Sequence, residues 1–328
     1  ESFTFTDNYE MAIECSPAYF EFKHIELLKK FGFNRISVGI QDFRQDVLDA
    51  INRKGPKLPI EDIINKIKEE GFTGTNIDLV YGLPLQTVES FNDTIDKAIT
   101  LDTDRIVTFS YAHVPSVIER QKVLEKIGFP SLEDKAKMYQ NAYDKFTEAG
   151  YVAIGMDHFA KPHDEFAIAL ENKNLHRNFQ GYCTRATTGQ VYGFGASSIS
   201  QLYSAYSQNE KNAAKYIKRI EKDGLAVIRG YQMSDRDKIV RQMINEVMCN
   251  YYVDVNVVAK DFGITTKNVY EAVDFSIDKF EEFIKDGLMN IEGDEIKVNE
   301  MGRLVIRNIA MKFDPLLTKG VGIYSKTI

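Results

Sequence analysis

One acid stands inside an apolar run of the chain. The segment Thr75–Gly82 reads TNIDLVYG, so Asp78 lies between Ile77 and Leu79. A carboxylate taken out of water without a partner carries a large free-energy penalty. The ammonium or hydroxyl groups of a ligand could satisfy Asp78. A structural salt bridge or a hydrogen-bonded core acid would satisfy it equally well, and both interpretations stay open at this point.

Asp78 belongs to one of five segments that are rich in β-branched and aromatic residues and therefore read as strands. These segments are Glu10–Cys15, Asn34–Gln41, Thr75–Gly82, Arg105–Ala112 and Tyr151–His158. Helical patterns lie between them, over Phe22–Phe31, Ile60–Glu70, Thr87–Leu101 and Ser131–Ala149. Alternating strands and helices with short connections predict an α/β fold, with helices packed on a parallel sheet.

Alternation within the strands predicts two faces of different character. The bulky apolar face holds Met11 and Ile13; Ile36, Val38 and Ile40; Ile77, Leu79 and Tyr81; Val107, Phe109 and Tyr111; Val152, Ile154 and Met156. The small or polar face holds Ala12 and Glu14; Ser37, Gly39 and Gln41; Asn76, Asp78 and Gly82; Thr108, Ser110 and Ala112; Ala153, Gly155 and Asp157. We expect the apolar face to pack on the helices. The polar face would line an open barrel that holds a ligand near the carboxyl ends of the strands.

Bulk composition narrows the class of protein. The 328 residues have a formal net charge of −7 and a pI near 5.4, which argues against a nucleic-acid binder. Cys15, Cys183 and Cys249 lie too far apart for a CxxC metal knuckle or a disulfide framework. No apolar run approaches the roughly 20 residues that span a bilayer. These features favour a cytoplasmic protein in a reducing compartment.

The composition changes after Gly193–Ser200 and predicts three parts. Residues 1–205 would form the partial barrel and the substrate region, 206–233 a helical connector, and 234–328 a mostly helical domain. In the last part, helical patterns cover Asp235–Asn250, Val255–Phe262, Thr265–Lys285 and Glu300–Met311, with a hairpin that turns at Gly293-Asp294. This order resembles a winged-helix module. Acids outnumber bases in its third helix, so we expect a packing or lid domain rather than a DNA reader.

Several motifs together resemble a known family. They are FGFNRISVGIQDF, NIDLVYGLPLQTVESF, RIVTFSYAHVP, GYVAIGMDHFAKPHDE, HRNFQGY and GRLVIRNIAMKFD. In this order and spacing they are similar to the oxygen-independent coproporphyrinogen III oxidases, which are radical S-adenosylmethionine (SAM) enzymes of haem biosynthesis. The resemblance covers nearly the whole chain, from about Glu10 to Ile328.

The resemblance implies a (βα)6 open barrel in which a [4Fe–4S] cluster on a CxxxCxxC loop cleaves SAM to a 5′-deoxyadenosyl radical. That radical takes a hydrogen from a propionate of coproporphyrinogen III, and the side chain loses CO2 to become a vinyl group. Two conversions give protoporphyrinogen IX. The family binds two SAM molecules and needs an electron donor, and we expect a monomeric full-length enzyme without nucleic-acid or membrane partners.

Matched motif by motif, the resemblance implies six SAM-binding positions. They are Glu14, Gln41, Arg53, Asp78, Ala112 and Ile199. Arg53 could pair with the carboxylate of SAM, and the acids could accept from its ammonium or ribose hydroxyls. From its local sequence alone, Arg53 fits a solvated base at a helix end better than a ligand-binding residue. The four carboxylates of the substrate call for basic groups, and His158 and Arg177 are the candidates.

The chain departs from the family pattern in one respect. It contains no CxxxCxxC, and the glycine-rich SAM-binding stretch of the family's first strands is also missing. We therefore expect a fragment that lacks the first barrel strands and has no metal site or catalytic cluster cysteine. It should be inactive, hold no cofactor tightly, and self-associate through the exposed strand 10–15. The alternatives are a haem chaperone, a radical SAM methyltransferase acting on haem, and a winged-helix regulator.

Overall fold

The computed structural model describes residues 4–184 and 190–317. Of these, the residues up to Ala167 form one compact unit and those from Ile168 onward form a second. The domain boundaries expected from the sequence, at residues 205 and 233, both fall inside the second unit. The structure divides the chain into two units, and the three-part division remains a prediction.

A six-stranded sheet organises the first unit, with the strand order β1-β2-β3-β4-β6-β5. Its strands are β1 (Ala12–Cys15), β2 (Arg35–Gln41), β3 (Gly74–Tyr81), β4 (Arg105–Ser110), β5 (Val152–Ile154) and β6 (His158–Ala160). Strands β1 to β4 are parallel, and β1 lies at the edge of the described sheet. The helices are α1 (Phe22–Lys30), α2 (Gln45–Ala50), α3 (Ile60–Glu69), α4 (Val88–Thr100), α5 (Leu132–Glu148) and α6 (Glu165–Glu171), the last of which contains the boundary between the units.

Local sequence determines where these helices begin and end. Thr87 and Ser131 each accept a hydrogen bond from the backbone three residues on and close a capping box at the start of α4 and α5. Gly32 and Gly71 follow α1 and α3 with φ of 90° and 72°, which favours glycine at these helix ends. The predicted helix bounds are confirmed to within a residue or so at these sites.

The helices cover one face of the sheet. Ile36, Val38, Ile77 and Leu79 of β2 and β3 are fully buried in a core that α3, α4 and α5 complete with Ile63, Phe91 and Phe146. This confirms the predicted apolar face for β2 and β3. Asp78 alternates with these residues and therefore lies on the opposite face, away from the helices.

The face assignment was wrong for β4. Pairing aligns Ile77 with Ile106 and Asp78 with Val107, so Ile106 joins the helix-packed core, and Val107 lies on the Asp78 side. Ser110 is accordingly paired with Tyr81, whose side chain is buried in the helix-packed core. Because side chains alternate with a period of two, the pairing exchanges the two predicted faces of this strand.

The fifth predicted strand, Tyr151–His158, was also wrong as a single element. The chain turns over Gly155–Asp157, where Gly155 has φ 64°, and β6 runs back antiparallel to both β5 and β4. Ala153 and Phe159 are paired and pack in the core, so Val152 and Ile154 lie on the Asp78 side. A glycine that supplies the left-handed conformation permits this reversal.

A buried ion network joins β4 to the start of α6. The Arg105 Nε donates to both carboxylate oxygens of Asp164 at 2.9 and 2.8 Å, and its Nη2 donates to Glu165 at 2.8 Å. The side chains of Arg105 and Asp164 are 8% and 3% exposed. The guanidinium also stacks on the Phe166 ring, 3.5 Å from its centroid. Paired charges at this depth stabilise the fold only while both remain present.

Over its described residues, the second unit contains three small sheets and a set of helices. Its strands are β7 (Leu175–Asn178), β8 (Gly181–Thr184), β9 (Ile199–Gln201), β10 (Ala205–Asn209), β11 (Val227–Gln232), β12 (Tyr252–Asp254), β13 (Met289–Glu292) and β14 (Glu295–Val298). Its helices are α7 (Ala213–Asp223), α8 (Asp235–Asn250), α9 (Val255–Phe262), α10 (Thr266–Ala272), α11 (Glu281–Lys285), α12 (Glu300–Arg303) and α13 (Ile306–Met311). The predicted bounds of α8 and α9 are confirmed.

Three expectations for this unit need correction. The predicted connector 206–233 is not all helical, because α7 lies between β10 and β11, which pair with each other. The single helix predicted over Thr265–Lys285 is interrupted after α10, where Asp274 has φ 50°. Likewise Glu300–Met311 divides into α12 and α13. A left-handed residue ends a helix whatever the propensity of its neighbours. No helix in the described ranges is both long and apolar enough to cross a membrane.

Candidate active site

Four adjacent strands place one residue each in a row across the sheet. Gly39 is paired with Asp78, Asp78 with Val107, and Val107 with His158. Paired neighbours project to the same face, so Asp78 and His158 lie on the face opposite the helices. The sequence did not predict this placement of His158, because it depends on the hairpin between β5 and β6.

Asp78 has hydrogen-bond donors but no structural salt bridge among residues 4–184. The Ser37 hydroxyl donates to its Oδ2 at 3.1 Å, and the Asn76 Nδ2 donates to its Oδ1 at 2.8 Å. The same Nδ2 also donates to the Ser37 hydroxyl at 2.7 Å. Ser37 and Asn76 thus hold the carboxylate in place. Both belong to the predicted polar face, so the alternation of the strands could have indicated them.

The charge of Asp78 remains poorly compensated. Burial raises the pKa of this carboxyl above its usual value, and this effect outweighs the lowering of the pKa by the hydrogen bonds from Asn76 and Ser37 and by the nearby Arg53. The neighbouring Asn76 Oδ1 is buried and has no hydrogen-bond partner among the described residues. A buried acceptor of this kind is costly to leave unpaired. The arrangement therefore has spare capacity for a ligand that donates hydrogen bonds.

Gly39 brings Gln41 and Arg53 together beside Asp78. A Cβ at Gly39 would lie 2.8 Å from the Gln41 Nε2 and 3.0 Å from the Arg53 Nη2, so only glycine leaves room for both. The Arg53 Nη2 donates to the Gly39 carbonyl at 2.7 Å. Arg53 therefore turns toward the sheet, and its interpretation as a fully solvated helix-end base was wrong.

Gln41 has an unusual backbone conformation for a strand residue. Its φ is 70°, and the pairing of β2 with β3 shifts register between Gly39 and Gln41. A left-handed non-glycine residue is held in place by its surroundings at a cost of about 1–3 kcal/mol. The bulge at the end of β2 aims the Gln41 amide over Gly39 and thus toward Arg53.

The next residue anchors this bulge. Asp42 is only 1% exposed and accepts hydrogen bonds from the Gln86 Nε2 at 2.6 Å and from the Thr94 hydroxyl at 3.3 Å. Gln86 also accepts from the Leu83 backbone NH at 2.8 Å. Burial raises the pKa of Asp42. Sequence reasoning missed this group, because Gln86 lies in a loop where no periodic pattern distinguishes it.

The remaining predicted SAM-binding positions are more scattered. Glu14 is exposed on β1, paired with Ser37 and therefore on the Asp78 face. Ala112 lies beyond the end of β4, and its carbonyl accepts from the Gln121 Nε2 at 3.0 Å. Ile199 begins β9 in the second unit, where its backbone packs against Gly193. The structure thus brings together Gln41, Arg53 and Asp78, with Glu14 on the same face.

The two candidate substrate residues lie in different units. The His158 Nδ1 lies 2.6 Å from the Asp157 Oδ1, and the Asp157 carbonyl accepts from the Thr108 backbone NH at 2.7 Å. Arg177 lies on β7 with its guanidinium 5.1 Å from the centre of the Tyr182 ring. His158 is therefore fixed by its neighbour on the Asp78 face, while Arg177 belongs to a separate set of residues in the second unit.

Comparison with known proteins identifies the family of this chain. A family model described as Radical SAM superfamily matches residues 4–98, which contain Glu14, Gln41, Arg53 and Asp78. The oxygen-independent coproporphyrinogen III oxidase of Salmonella typhimurium is 39% identical over 317 residues, which are 97% of this chain and 68% of the relative. The relative of the same name from Thermostichus vulcanus is 38% identical over 329 residues and is matched over 100% of both chains. The chain belongs to the oxygen-independent coproporphyrinogen III oxidase family.

A solved structure supports the same assignment. Coproporphyrinogen III oxidase (HemN) from Escherichia coli, a radical SAM enzyme, superimposes with a TM-score of 0.90 at 38% identity, over 96% of this chain and 71% of that chain. This family member therefore has the α/β radical SAM fold, and the resemblance drawn from its motifs is confirmed. Membership of the superfamily implies SAM and a [4Fe–4S] cluster as cofactors.

The described residues of this oxidase-family chain fit SAM but not the cluster. The free Asn76 Oδ1, the undercompensated Asp78 and the Arg53 guanidinium provide acceptors and a cation in one place, as a zwitterionic nucleoside requires. In contrast, no group of three or more His, Cys, Asp or Glu side chains within residues 4–184 and 190–317 could hold a metal ion.

Proposed function

We propose that this protein carries out the oxygen-independent oxidative decarboxylation of coproporphyrinogen III to protoporphyrinogen IX. Each converted propionate loses one hydrogen atom, releases CO2, gives one electron to a one-electron acceptor outside the chain, and becomes a vinyl group. SAM, when bound and reduced by one electron from an external donor, would give methionine and the 5′-deoxyadenosyl radical, which would accept the hydrogen atom. The relatives at 38–39% identity that carry the oxidase name support this reaction. A haem chaperone remains the alternative, and nothing in the structure favours it.

The observation that carries the proposal is the poorly compensated Asp78 beside a buried, unpaired Asn76 Oδ1. We assign Asp78 and Asn76 to accept hydrogen bonds from the ammonium or ribose hydroxyls of SAM. Arg53 would pair with the SAM carboxylate, which guanidinium groups bind bidentately. Gln41 can donate or accept, and the bulge that directs it over Gly39 preorganises the amide.

Glu14 would complete the polar face at the edge strand. Ala112 and Ile199 would contribute backbone groups and an apolar wall, as the family resemblance implies. His158 lies on the Asp78 face across two strands and would meet the substrate or orient it through its contact with Asp157. A second SAM molecule, the (βα)6 barrel, the winged-helix-like character of the C-terminal part and a cytoplasmic location stay predictions.

Anaerobic incubation with SAM, a reductant and coproporphyrinogen III tests the reaction. The complete gene product should release CO2 and yield a tetrapyrrole with two vinyl groups. The 328-residue chain itself should be inactive, because Cys15, Cys183 and Cys249 do not have cluster spacing. The matched control replaces Asp93, an exposed acid on α4, by Asn and should retain activity, whereas Asp78→Asn should lose most of it. Tight haem binding without CO2 release would refute the proposal in favour of the chaperone.

A further inference from the structure

A cavity of about 370 Å³ lies wholly within the second unit. It is bounded by the end of β7, by β9 and β10, and by α8 and α13. Three arginines line it, Arg177, Arg241 and Arg307, against a single acid, Asp314. Such a balance of charge favours an anionic occupant.

None of the three arginines forms an ion pair within the described residues. Arg307 is exposed on α13, and no carboxylate of the described chain lies within ion-pair distance of it. The Arg177 Nη1 is buried and lacks a hydrogen-bond partner among the described residues. Asp314 is engaged elsewhere, accepting from the Leu316 backbone NH at 2.8 Å. The cavity therefore has guanidinium donors that no described acid neutralises.

Unlike Arg177 and Arg307, Arg241 is held in place by hydrogen bonds from its guanidinium to backbone carbonyls within the described residues. Its Nη2 donates to the Tyr203 carbonyl at 2.9 Å, and its Nη1 donates to the Leu202 carbonyl at 3.3 Å. These bonds fix the side chain against the loop after β9 without removing its charge. Arg241 thus adds to the positive potential, while Arg177 and Arg307 retain free donors.

The rest of the lining is mostly apolar and aromatic. It includes Phe179, Tyr206, Ile244, Met248, Met311 and Leu317. An inorganic anion would leave these side chains unused, whereas a carboxylate carried on a hydrophobic ring would contact both kinds of wall. The volume is at the lower end of the roughly 300–1,000 Å³ typical of ligand pockets, so it would hold one edge of a macrocycle.

We propose that this cavity binds a propionate-bearing edge of the tetrapyrrole substrate, with Arg177 and Arg307 pairing with its carboxylate. The inference rests on the proposed function for the identity of the ligand. Planar guanidinium groups suit carboxylates because they offer two parallel donors. A propionate held here would fix that edge of the ring within the second unit.

The test measures binding of coproporphyrin III, the stable fluorescent form of the ring system, to the 328-residue chain by fluorescence anisotropy. Arg307→Gln should raise the Kd about tenfold, the loss expected for one charge-assisted hydrogen bond. Arg307→Lys should recover part of that loss. Arg229→Gln, at an exposed arginine of β11 outside the cavity, is the matched control and should leave the Kd unchanged.

Further arms separate the possible outcomes. The tetramethyl ester of coproporphyrin III should bind wild type and Arg307→Gln equally, because it has no carboxylate to pair. Arg177→Gln should also weaken binding of the free acid. Thermal melting followed by circular dichroism checks that the Arg177→Gln variant is folded. If that variant is unfolded, the Kd of Arg307→Gln alone tests the proposal.

Equal Kd values for wild type and Arg307→Gln, or no binding of coproporphyrin III by wild type, would overturn the assignment of the cavity. Failure of the complete gene product to form vinyl groups would overturn the oxidase proposal instead. Arginine-dependent binding without that reaction would leave the cavity standing as a tetrapyrrole carboxylate site.

Discussion

Replacing Asp78 by Asn should stabilise the protein while it impairs the site. Burial disfavours the ionised carboxyl by more than Ser37, Asn76 and the nearby Arg53 favour it, since the pKa is raised overall. An asparagine removes that charge; its Oδ1 can still accept from the Asn76 Nδ2, and its Nδ2 can donate to the Ser37 hydroxyl, which reverses the direction of that bond. We expect a gain of about 1 kcal/mol in the free energy of unfolding at pH 7.5, within the usual range for relieving one local strain.

The difference in the free energy of unfolding between Asp78→Asn and wild type should depend on pH. Because the folded-state pKa of Asp78 is raised, its stabilising contribution is fully present below the unfolded pKa of about 3.9 and is lost as the pH rises through the folded value. Asp78→Asn lacks this titration. Its advantage over wild type should therefore be largest at neutral pH and should shrink as the pH falls toward 4.5.

The assay has two readouts. Urea unfolding of the 328-residue chain, followed by circular dichroism at several pH values, gives the stability difference. Equilibrium dialysis of the complete gene product gives SAM affinity, which should fall about 10- to 100-fold, the worth of one charge-assisted hydrogen bond. Asp93→Asn, at an exposed acid, should change neither quantity appreciably. A variant that is less stable than wild type at pH 7.5, or unchanged in SAM affinity, would refute the reasoning about Asp78.

Two further predictions follow from contacts in the structure. Gly39→Ala should weaken SAM binding about tenfold with little loss of stability, because the added Cβ displaces only the flexible ends of Gln41 and Arg53. Gly230→Ala is the control, since its Cβ would lie 3.5 Å from its nearest neighbour. Equal SAM affinities of Gly39→Ala and wild type in equilibrium dialysis would contradict the prediction. Arg105→Met should cost about 3–5 kcal/mol in urea unfolding, because it leaves the buried Asp164 carboxylate with the 3.8 Å contact to the Arg35 Nη1 as its only ion pair among the described residues. Asp164→Asn should cost less, because Arg105 keeps its bond to Glu165, and the double variant should cost less than the two single variants together. Asp96→Asn breaks the exposed pair with Lys145 and should cost less than about 1 kcal/mol; similar losses at both pairs would count against the role of burial.

Much of the architecture could be predicted from local sequence. Capping residues and glycines marked the ends of α1, α3, α4 and α5, because the backbone groups at helix ends need specific partners or a left-handed residue. The alternation of apolar with small or polar residues in the sequence indicated the core faces of β2 and β3. The motif resemblance identified the family that the comparisons confirmed.

The candidate site was predictable only in part. Asp78 stood out because a carboxylate in an apolar run needs a reason, and Ser37 and Asn76 share its alternation. The bulge at Gln41 and the approach of Arg53 to Gly39 could not be predicted, since each depends on the packing of separate segments. Gln86 and its bond to Asp42 had no periodic signal at all.

By itself, the sequence determined the strands β1 to β4 and the helices α1, α3, α4, α5, α8 and α9, the family to which the chain belongs, and that an acid on β3 needs a partner. These properties depend on neighbours along the chain or on motifs that are read in order. Only the tertiary structure decided the faces of β4, the reversal at Gly155 and the placement of His158 beside the Asp78 row. Register between distant strands is set by which pairing buries the most apolar surface, and no single segment contains that information.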